Sequence, residues 1–358
     1  MHIESVLSTW EGESCHLRHD RETGVWFAIA IHSTHRGPAA GGTRLMSYIS
    51  AAAAVADATR LATAMTLKMA VADLPMGGGK SVIALPAEAP RPDLATRQRL
   101  LTLHAHNLER LGGQYWTGPD IGTSSADMDI LGRQTRYAFG RATEAGGSGS
   151  SAEETAQGVF EAVQATAHEA RLGTLADRTL LIQGLGAVGL RVAELAADAG
   201  ARLLVTDLDP DRCATADRLG AKAINPTEAT TTECDILVPC ATGGLIDTPT
   251  AHRLPCAAIA GAANNILTNP EIADILQERG IVYAPDFVAN CGGAIHLIGR
   301  EVLGWSADNV RARTRNIRDT LDTIFTNARR YGISTERAAH DLAAAKLARA
   351  EAPADTGQ

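Results

Sequence analysis

Lys68 and Lys80 stand in otherwise apolar company around a triple glycine, in the stretch Met65-Thr-Leu-Lys68-Met-Ala-Val-Ala-Asp-Leu-Pro-Met-Gly77-Gly-Gly-Lys80-Ser81. An ammonium near a second cation and among apolar groups has its pKa pushed down, which is what a lysine acid/base requires. The plain alternative is a tight turn whose lysines snorkel to solvent. A carboxylate able to exchange protons comes from Thr117-Gly118-Pro119-Asp120. An acid just past the C-terminal end of a strand in an open α/β sheet sits where ligands bind. Asp120 could instead cap the next helix, but Thr123 or Ser124 already offers an N-cap there.

The elements that must position these groups follow from periodicity. Val55, Ala58, Ala62, Met65 and Met69 recur at helical spacing and predict a helix over 51–70, with Lys68 near the same face. Pro75 and the glycines break it, and residues 81–85 form a buried strand, so Lys80 is expected where a Gly-rich turn enters a strand. A strand over 25–31 leads to Gly37-Pro-Ala-Ala-Gly41-Gly42-Thr-Arg44. This segment is either a plain turn or one whose Gly41 and Gly42 offer backbone N–H groups to an anion such as a carboxylate. With a helix at 93–111 and a strand at 114–116, the alternation is that of an α/β layer.

The composition turns to glycine and serine at 140–151, the best linker in the chain, and the domain boundary is expected there. Beyond it, a helix (153–171) and a strand (179–183) run into Gly184-Leu-Gly186-Ala187-Val188-Gly189. A helix (187–199) and a strand (201–206) follow, ending at Asp207. Alone, G-x-G-x-x-G is a weak signal. Between a strand and a helix, with an acid closing the next strand, it is the full dinucleotide-binding fingerprint. The glycines admit the pyrophosphate, the helix N-terminus attracts it, and Asp207 selects NAD over NADP by facing the ribose. Further strands within 234–241, 257–265 and 281–286 close on small or amide residues suited to reach a nicotinamide ring. Gly292 and Gly293 then open a helix carrying His296, expected to be satisfied in place rather than a ligand. Two amphipathic helices (306–330 and 335–350) precede a polar tail expected to be disordered.

The bulk properties exclude other classes. With 358 residues, 45% hydrophobic and 21% charged, the chain has core enough for two globular domains. Its net charge of −8 and lack of a basic run argue against nucleic acid. No apolar run is long enough for a membrane span, and no signal peptide is apparent. Six cysteines without a C-x-x-C pair fit reduced thiols in the cytoplasm, with neither disulfides nor a metal site.

In order along the chain, Gly41-Gly42-Thr43, Lys68, Gly77-Gly-Gly-Lys80, Thr117-Gly-Pro-Asp120, Gly184-x-Gly186-x-x-Gly189, Gly261-Ala-Ala-Asn264 and Ala284-Pro-Asp-Phe-Val-Ala-Asn290 resemble the glutamate/leucine/phenylalanine/valine dehydrogenase family. The likeness spans nearly the whole chain and is greatest to the phenylalanine-specific members. It implies an N-terminal α/β substrate domain (1–139) and a C-terminal Rossmann NAD domain (140–330) separated by a cleft, with a C-terminal helix (331–350) packing back on the first and a tail at 351–358. It also implies a cytoplasmic homo-oligomer catalysing NAD-dependent, reversible oxidative deamination of an L-amino acid to a 2-oxo acid and ammonia.

Carried over by position, Lys80 and Asp120 match the catalytic pair. Lys68 matches the residue holding the substrate α-carboxylate, with Gly41 and Gly42 beside it, and Asn264 matches the amide near carboxylate and nicotinamide. Thr155, Ala187, Val188, Ala241 and Ala260 join the glycine loop and Asp207 on the cofactor. Gly118, Pro119, Ala294 and Leu297 match the side-chain pocket. The absence of Cβ at Gly118 and of branching at Ala294 is expected to deepen that pocket for an aromatic ring, and Leu297 to wall it. Leucine, valine or tryptophan dehydrogenases are the alternatives, and beyond them an idle NAD-binding regulator. Cys291 and Glu153-Glu154 depart from the family pattern near the expected site.

Overall fold

The computed structural model describes residues 2–351. It is a mixed α/β chain of two compact units. Of the described residues, the first comprises those up to Ser150, Leu297–Trp305 and those from Ala343 to Glu351; the second comprises Ser151–His296 and Ser306–Leu342.

The first unit is built on a five-stranded sheet of β1 (Ser14–Asp20), β2 (Val25–Ser33), β3 (Ala39–Tyr48), β4 (Gly77–Pro86) and β5 (Tyr115–Pro119) in the order β1-β2-β4-β3-β5. β1/β2 and β2/β4 are antiparallel, whereas β3 runs parallel to both β4 and β5. Side chains alternate across β2, as a period of two requires. Ala28 and Ala30 pack with Val82 and Ala84 against the helix Ala51–Val71. Phe27, Ile29 and Ile31 meet the helix Leu94–Arg110 through Leu100, Leu101 and Leu108. Alanines on the first face let that long helix approach closely, while the large residues on the second fill the wider gap. Each fully buried Phe or Leu there contributes about 1.5–3 kcal/mol. Ser50 and Asp93 start these two helices, their side chains accepting from Ala53 N and Thr96 N. Ser124 and Asp127 form a capping box on the helix that follows β5.

Two expected turns are strands. Gly77–Gly79 lie inside β4, and Gly41–Gly42 lie inside β3. The reason is crowding rather than turning: an added Cβ at Gly41 would stand 1.8 Å from Gly79 O, and one at Gly78 would stand 2.1 Å from Thr66 N. These glycines let β3, β4 and the helix Ala51–Val71 close to backbone contact.

The Gly/Ser stretch belongs to the first unit as far as Ser150. Glu301 fastens it: Oε2 accepts from Gly140 N (3.0 Å), and Oε1 from Ser148 N (2.9 Å) and Ser148 Oγ (2.6 Å). The part of the helix Thr335–Glu351 from Ala343 groups with the first unit. Glu351 closes that helix, and residues 352–358 of the expected tail lie outside the described residues.

The second unit holds a parallel six-stranded sheet, β6 (Thr179–Gln183), β7 (Arg202–Thr206), β8 (Lys222–Ala223), β9 (Ile236–Pro239), β10 (Ala258–Ile259) and β11 (Val282–Tyr283). Its order, β11-β10-β9-β6-β7-β8, places the crossover between β6 and β9, as in a doubly wound nucleotide fold. The expected helix 306–330 is two, Ala307–Arg315 and Ile317–Tyr331, meeting at Asn316. The six cysteines are unbridged. No helix of the described residues is long and apolar enough to cross a membrane.

Candidate active site

Three neighbouring strands carry the charged centre of the first unit. Lys80, from β4, is buried, and its Nζ lies 3.2 Å from Asp120 Oδ1, just past β5. Arg44, from β3, donates from Nε to Asp120 Oδ2 at 2.8 Å and from Nη1 to Asp57 Oδ2 at 2.8 Å. Asp57 also accepts from Tyr48 Oη and Arg60 Nη2. Asp120 is thus held between two cations, one of which is itself anchored. Its loop is pinned as well: Asp120 N donates to Thr123 Oγ1 (2.9 Å), which donates to Thr43 O (2.8 Å). Gly42 makes the approach possible, because a Cβ there would lie 2.8 Å from Asp120 Cβ. Beneath the pair, Thr43 Oγ1 sits within hydrogen-bond distance of Ser81, His104 and Thr117 in a buried polar layer. Burial keeps His104 neutral, its pKa pushed down to about 3.

The electrostatics follow from this packing. Burial, the largest influence, pushes Lys80 below the usual lysine range; Asp120 opposes the shift, while Arg44 and Lys68 reinforce it. Burial pushes the Asp120 carboxyl up, but Lys80 and Arg44 outweigh it and leave Asp120 below the usual carboxylate range. An amine that sheds its proton readily beside a carboxylate that stays ionised can pass protons at a bound substrate. Lys68 stands in the last turn of Ala51–Val71, half-buried, close enough for its charge to act on Lys80.

The pocket residues are not arranged as expected at one point. A Cβ at Gly118 would lie 2.3 Å from Phe139 Cε2, so the missing methyl is occupied by a ring and does not deepen a cavity. Phe139 is brought there by a short parallel bridge, with Thr117 N donating to Tyr137 O (2.9 Å) and Phe139 N to Thr117 O (2.8 Å). Pro119 packs on Gly140, where an added Cβ would also come within 3.6 Å of Leu297 Cδ1. Gly118, Pro119, Phe139 and Leu297 therefore make one apolar corner of the first unit. Ala294 lies one turn before Leu297 on the helix Gly292–Glu301.

In the second unit the glycine loop joins β6 to the helix Ala187–Asp198. Gly184 has φ +95°, donates to Thr206 O (2.7 Å), and would bring a Cβ within 2.6 Å of Ala241 Cβ. A Cβ at Gly189 would stand 1.9 Å from Gly184 O. At Gly186 an added Cβ meets nothing within 4 Å. Two glycines are thus required by packing, while the third faces open space at a helix N-terminus, which fits a diphosphate. Ala187 is exposed and Val188 half-buried at that terminus, and Ala260 lies buried just past β10. Asp207 Oδ2 accepts from Leu185 N (2.7 Å) and Oδ1 from Asp209 N (3.0 Å). Burial raises its pKa, but these amides and Arg212 bring it below the usual carboxylate range. Asn264 Oδ1 accepts from Asn290 Nδ2 (2.8 Å), and Thr155 Oγ1 donates to Ser151 O (2.8 Å) beside Gly293.

Residues 14–137 match the model described as Glu/Leu/Phe/Val dehydrogenase, dimerisation domain, and residues 146–210 and 207–354 match that of Glutamate/Leucine/Phenylalanine/Valine dehydrogenase. The chain belongs to this family. It is an amino acid dehydrogenase, similar to the leucine dehydrogenase of Geobacillus stearothermophilus, with 38% identity over 97% of this chain and 94% of the relative. The valine dehydrogenase of Streptomyces albus is 40% identical over 94% of this chain and 92% of the relative, and a phenylalanine dehydrogenase is also matched. Among solved structures, the L-tryptophan dehydrogenase of Nostoc punctiforme superposes with a TM-score of 0.83 at 32% identity, over 98% of this chain and 99% of that one.

The dehydrogenase holds site residues that the motifs alone do not mark. Arg44 closes the same motif as Gly41 and Gly42, and strand alternation would have put it on Gly42's face had the segment been read as a strand. Asp57 and Tyr48 carry no sequence signal, because their partner is known only once β3 and the helix Ala51–Val71 are in place. His296 is buried, with Nδ1 3.2 Å from Glu154, and Glu153 forms an ion pair with Arg191 at 2.8 Å, so both acidic departures have a partner side chain. Cys291 is buried.

Proposed function

We propose that the dehydrogenase catalyses the NAD-dependent, reversible oxidative deamination of L-phenylalanine to phenylpyruvate and ammonia, as a cytoplasmic homo-oligomer. The observation that carries the reaction is the buried Lys80 amine 3.2 Å from an Asp120 that Arg44 holds in place. Lys68, with the Gly41 and Gly42 backbone, binds the substrate carboxylate. NAD, held at Gly184–Gly189 and Asp207 and near Thr155, Ala241, Ala260 and Asn264, supplies the acceptor for the hydride leaving Cα. Lys80, neutral, takes a proton from the water that attacks the resulting iminium carbon. Asp120, which takes the substrate ammonium proton before the hydride leaves, returns it to the carbinolamine nitrogen and then accepts the hydroxyl proton as ammonia departs and the 2-oxo acid forms.

The apolar corner supports the aromatic substrate. The ring of Phe139 beside Gly118, with Pro119 and Leu297, presents flat apolar surface, and unbranched Ala294 precedes Leu297 on its helix. The identity to leucine and valine dehydrogenases favours a second reading, a branched-chain substrate. NADH formation from a panel of L-amino acids at alkaline pH decides between them. Phenylalanine is expected to give the highest kcat/KM, with leucine and valine roughly 10–200-fold lower, the range that methyl-sized pocket changes produce. Gly118→Ala should reduce the phenylalanine value by displacing the Phe139 ring. A preference for valine or leucine would end the aromatic assignment and leave the dehydrogenase chemistry standing.

Cofactor choice is tested separately. Asp207 faces the position of a 2′-phosphate with an ionised carboxylate, so kcat/KM should strongly favour NAD over NADP. Asp207→Ser should narrow that gap by removing the charge. Similar use of both cofactors by the unaltered enzyme would contradict the role given to Asp207.

A further inference from the structure

We propose that the first unit carries a second binding site, for a small anion bearing at least two phosphate or carboxylate groups, in the pocket framed by Arg136, Arg141 and Arg300. The pocket has a volume of 430 Å³, within the roughly 300–1,000 Å³ of small-molecule sites. It gathers three guanidinium groups in a chain whose net charge is −8. None of the three is in an ion pair among the described residues: Arg300 Nη1 donates to Trp305 O (2.8 Å), and Arg136 lies over the Tyr137 ring, 5.2 Å from its centroid. Glu301 is the one carboxylate on the wall, and it is turned away to the amides of Gly140 and Ser148. The arginines are therefore left to an external partner.

Arg141 is also held in place for that role. Its side chain lies along Gly132, where an added Cβ would come within 2.7 Å of Cδ and 3.1 Å of Nη1, and its Nη2 passes Gly146 at 3.7 Å from a Cβ there. A groove of glycines around an otherwise unpaired guanidinium fixes the fork that bidentate recognition of phosphate or carboxylate needs. No lysine, histidine or thiol lines the pocket, and its one carboxylate is engaged with backbone amides and the Ser148 hydroxyl, an arrangement for binding rather than turnover. The ligand is an effector and not a second substrate.

The test is calorimetric titration of the full chain with inorganic pyrophosphate and, separately, with citrate. NADH is kept saturating so that the glycine loop cannot take the anion. One saturable site per chain is expected for at least one probe, and which probe binds separates a phosphate ligand from a carboxylate one. The Arg141→Gln/Arg300→Gln double variant should weaken binding at least about tenfold, as loss of two charge-assisted contacts would. Gly132→Ala, which keeps every charge but displaces Arg141, should weaken it in the same direction and serves if the double variant does not fold. No saturable heat with either anion, or unchanged affinity in both folded variants, would overturn the proposal.

Discussion

Replacing Lys80 by alanine is expected to lower kcat for amino acid oxidation about 10²–10⁴-fold while leaving the fold and dinucleotide binding intact. The fold should survive because Lys80 sits in β4 with its neighbours on both sides buried, and the change removes a polar group whose burial is costly. Dinucleotide binding should survive because the residues assigned to it lie in the other unit. The pH profile identifies the cause. Lys80 is inactive as a base while protonated, so kcat/KM of the unaltered enzyme should rise with pH as the amine loses its proton. Since burial, Arg44 and Lys68 hold that pKa below the usual lysine range, the limb should level off before an exposed lysine would titrate. In Lys80→Ala the limb should vanish. Stopped-flow NADH formation and a fluorescence titration of NADH binding measure both quantities; near-normal turnover would remove Lys80 from the mechanism.

Much of this was legible in the sequence, and the gaps have physical causes. The unbroken apolar run of residues 25–31 marks β2, helical spacing marks the helix Ala51–Val71, and the second unit's glycine loop and Asp207 are local features that hardly depend on tertiary contacts. Glycine was the ambiguous letter. Its lack of a side chain signals a turn from sequence, yet at Gly41, Gly77, Gly78 and Gly79 it serves the close approach of β3, β4 and a helix, which only packing reveals. The same ambiguity hid the true state of Gly118, whose missing Cβ looked like room for substrate and is filled by Phe139. Arg44 carries no local signal of its role, because its two carboxylate partners, Asp57 and Asp120, come from different elements. Glu301 likewise stands far in sequence from the Gly140–Ser148 amides that it binds, so no linker composition could show that this segment stays with the first unit.

Asp120→Asn should also cost about 10²–10⁴-fold in kcat, but with a different signature from Lys80→Ala. The carboxylate accepts from Lys80 on Oδ1 and from Arg44 on Oδ2. An amide can accept on one side only, and its NH₂ must face a donor on the other. The scaffold tolerates this because Arg44 keeps Asp57, which Tyr48 and Arg60 hold in turn. What changes is the balance at Lys80. Asp120 raises the Lys80 pKa through its charge and, to a lesser degree, its hydrogen bond, against burial, Arg44 and Lys68. Removing the charge should move the alkaline-rising limb of kcat/KM to lower pH even as the plateau falls. A slower enzyme with its base already neutral at lower pH is the mark of a lost proton relay. Were Asp120 only a structural neighbour of Lys80, the limb would still move but the kcat plateau would change little.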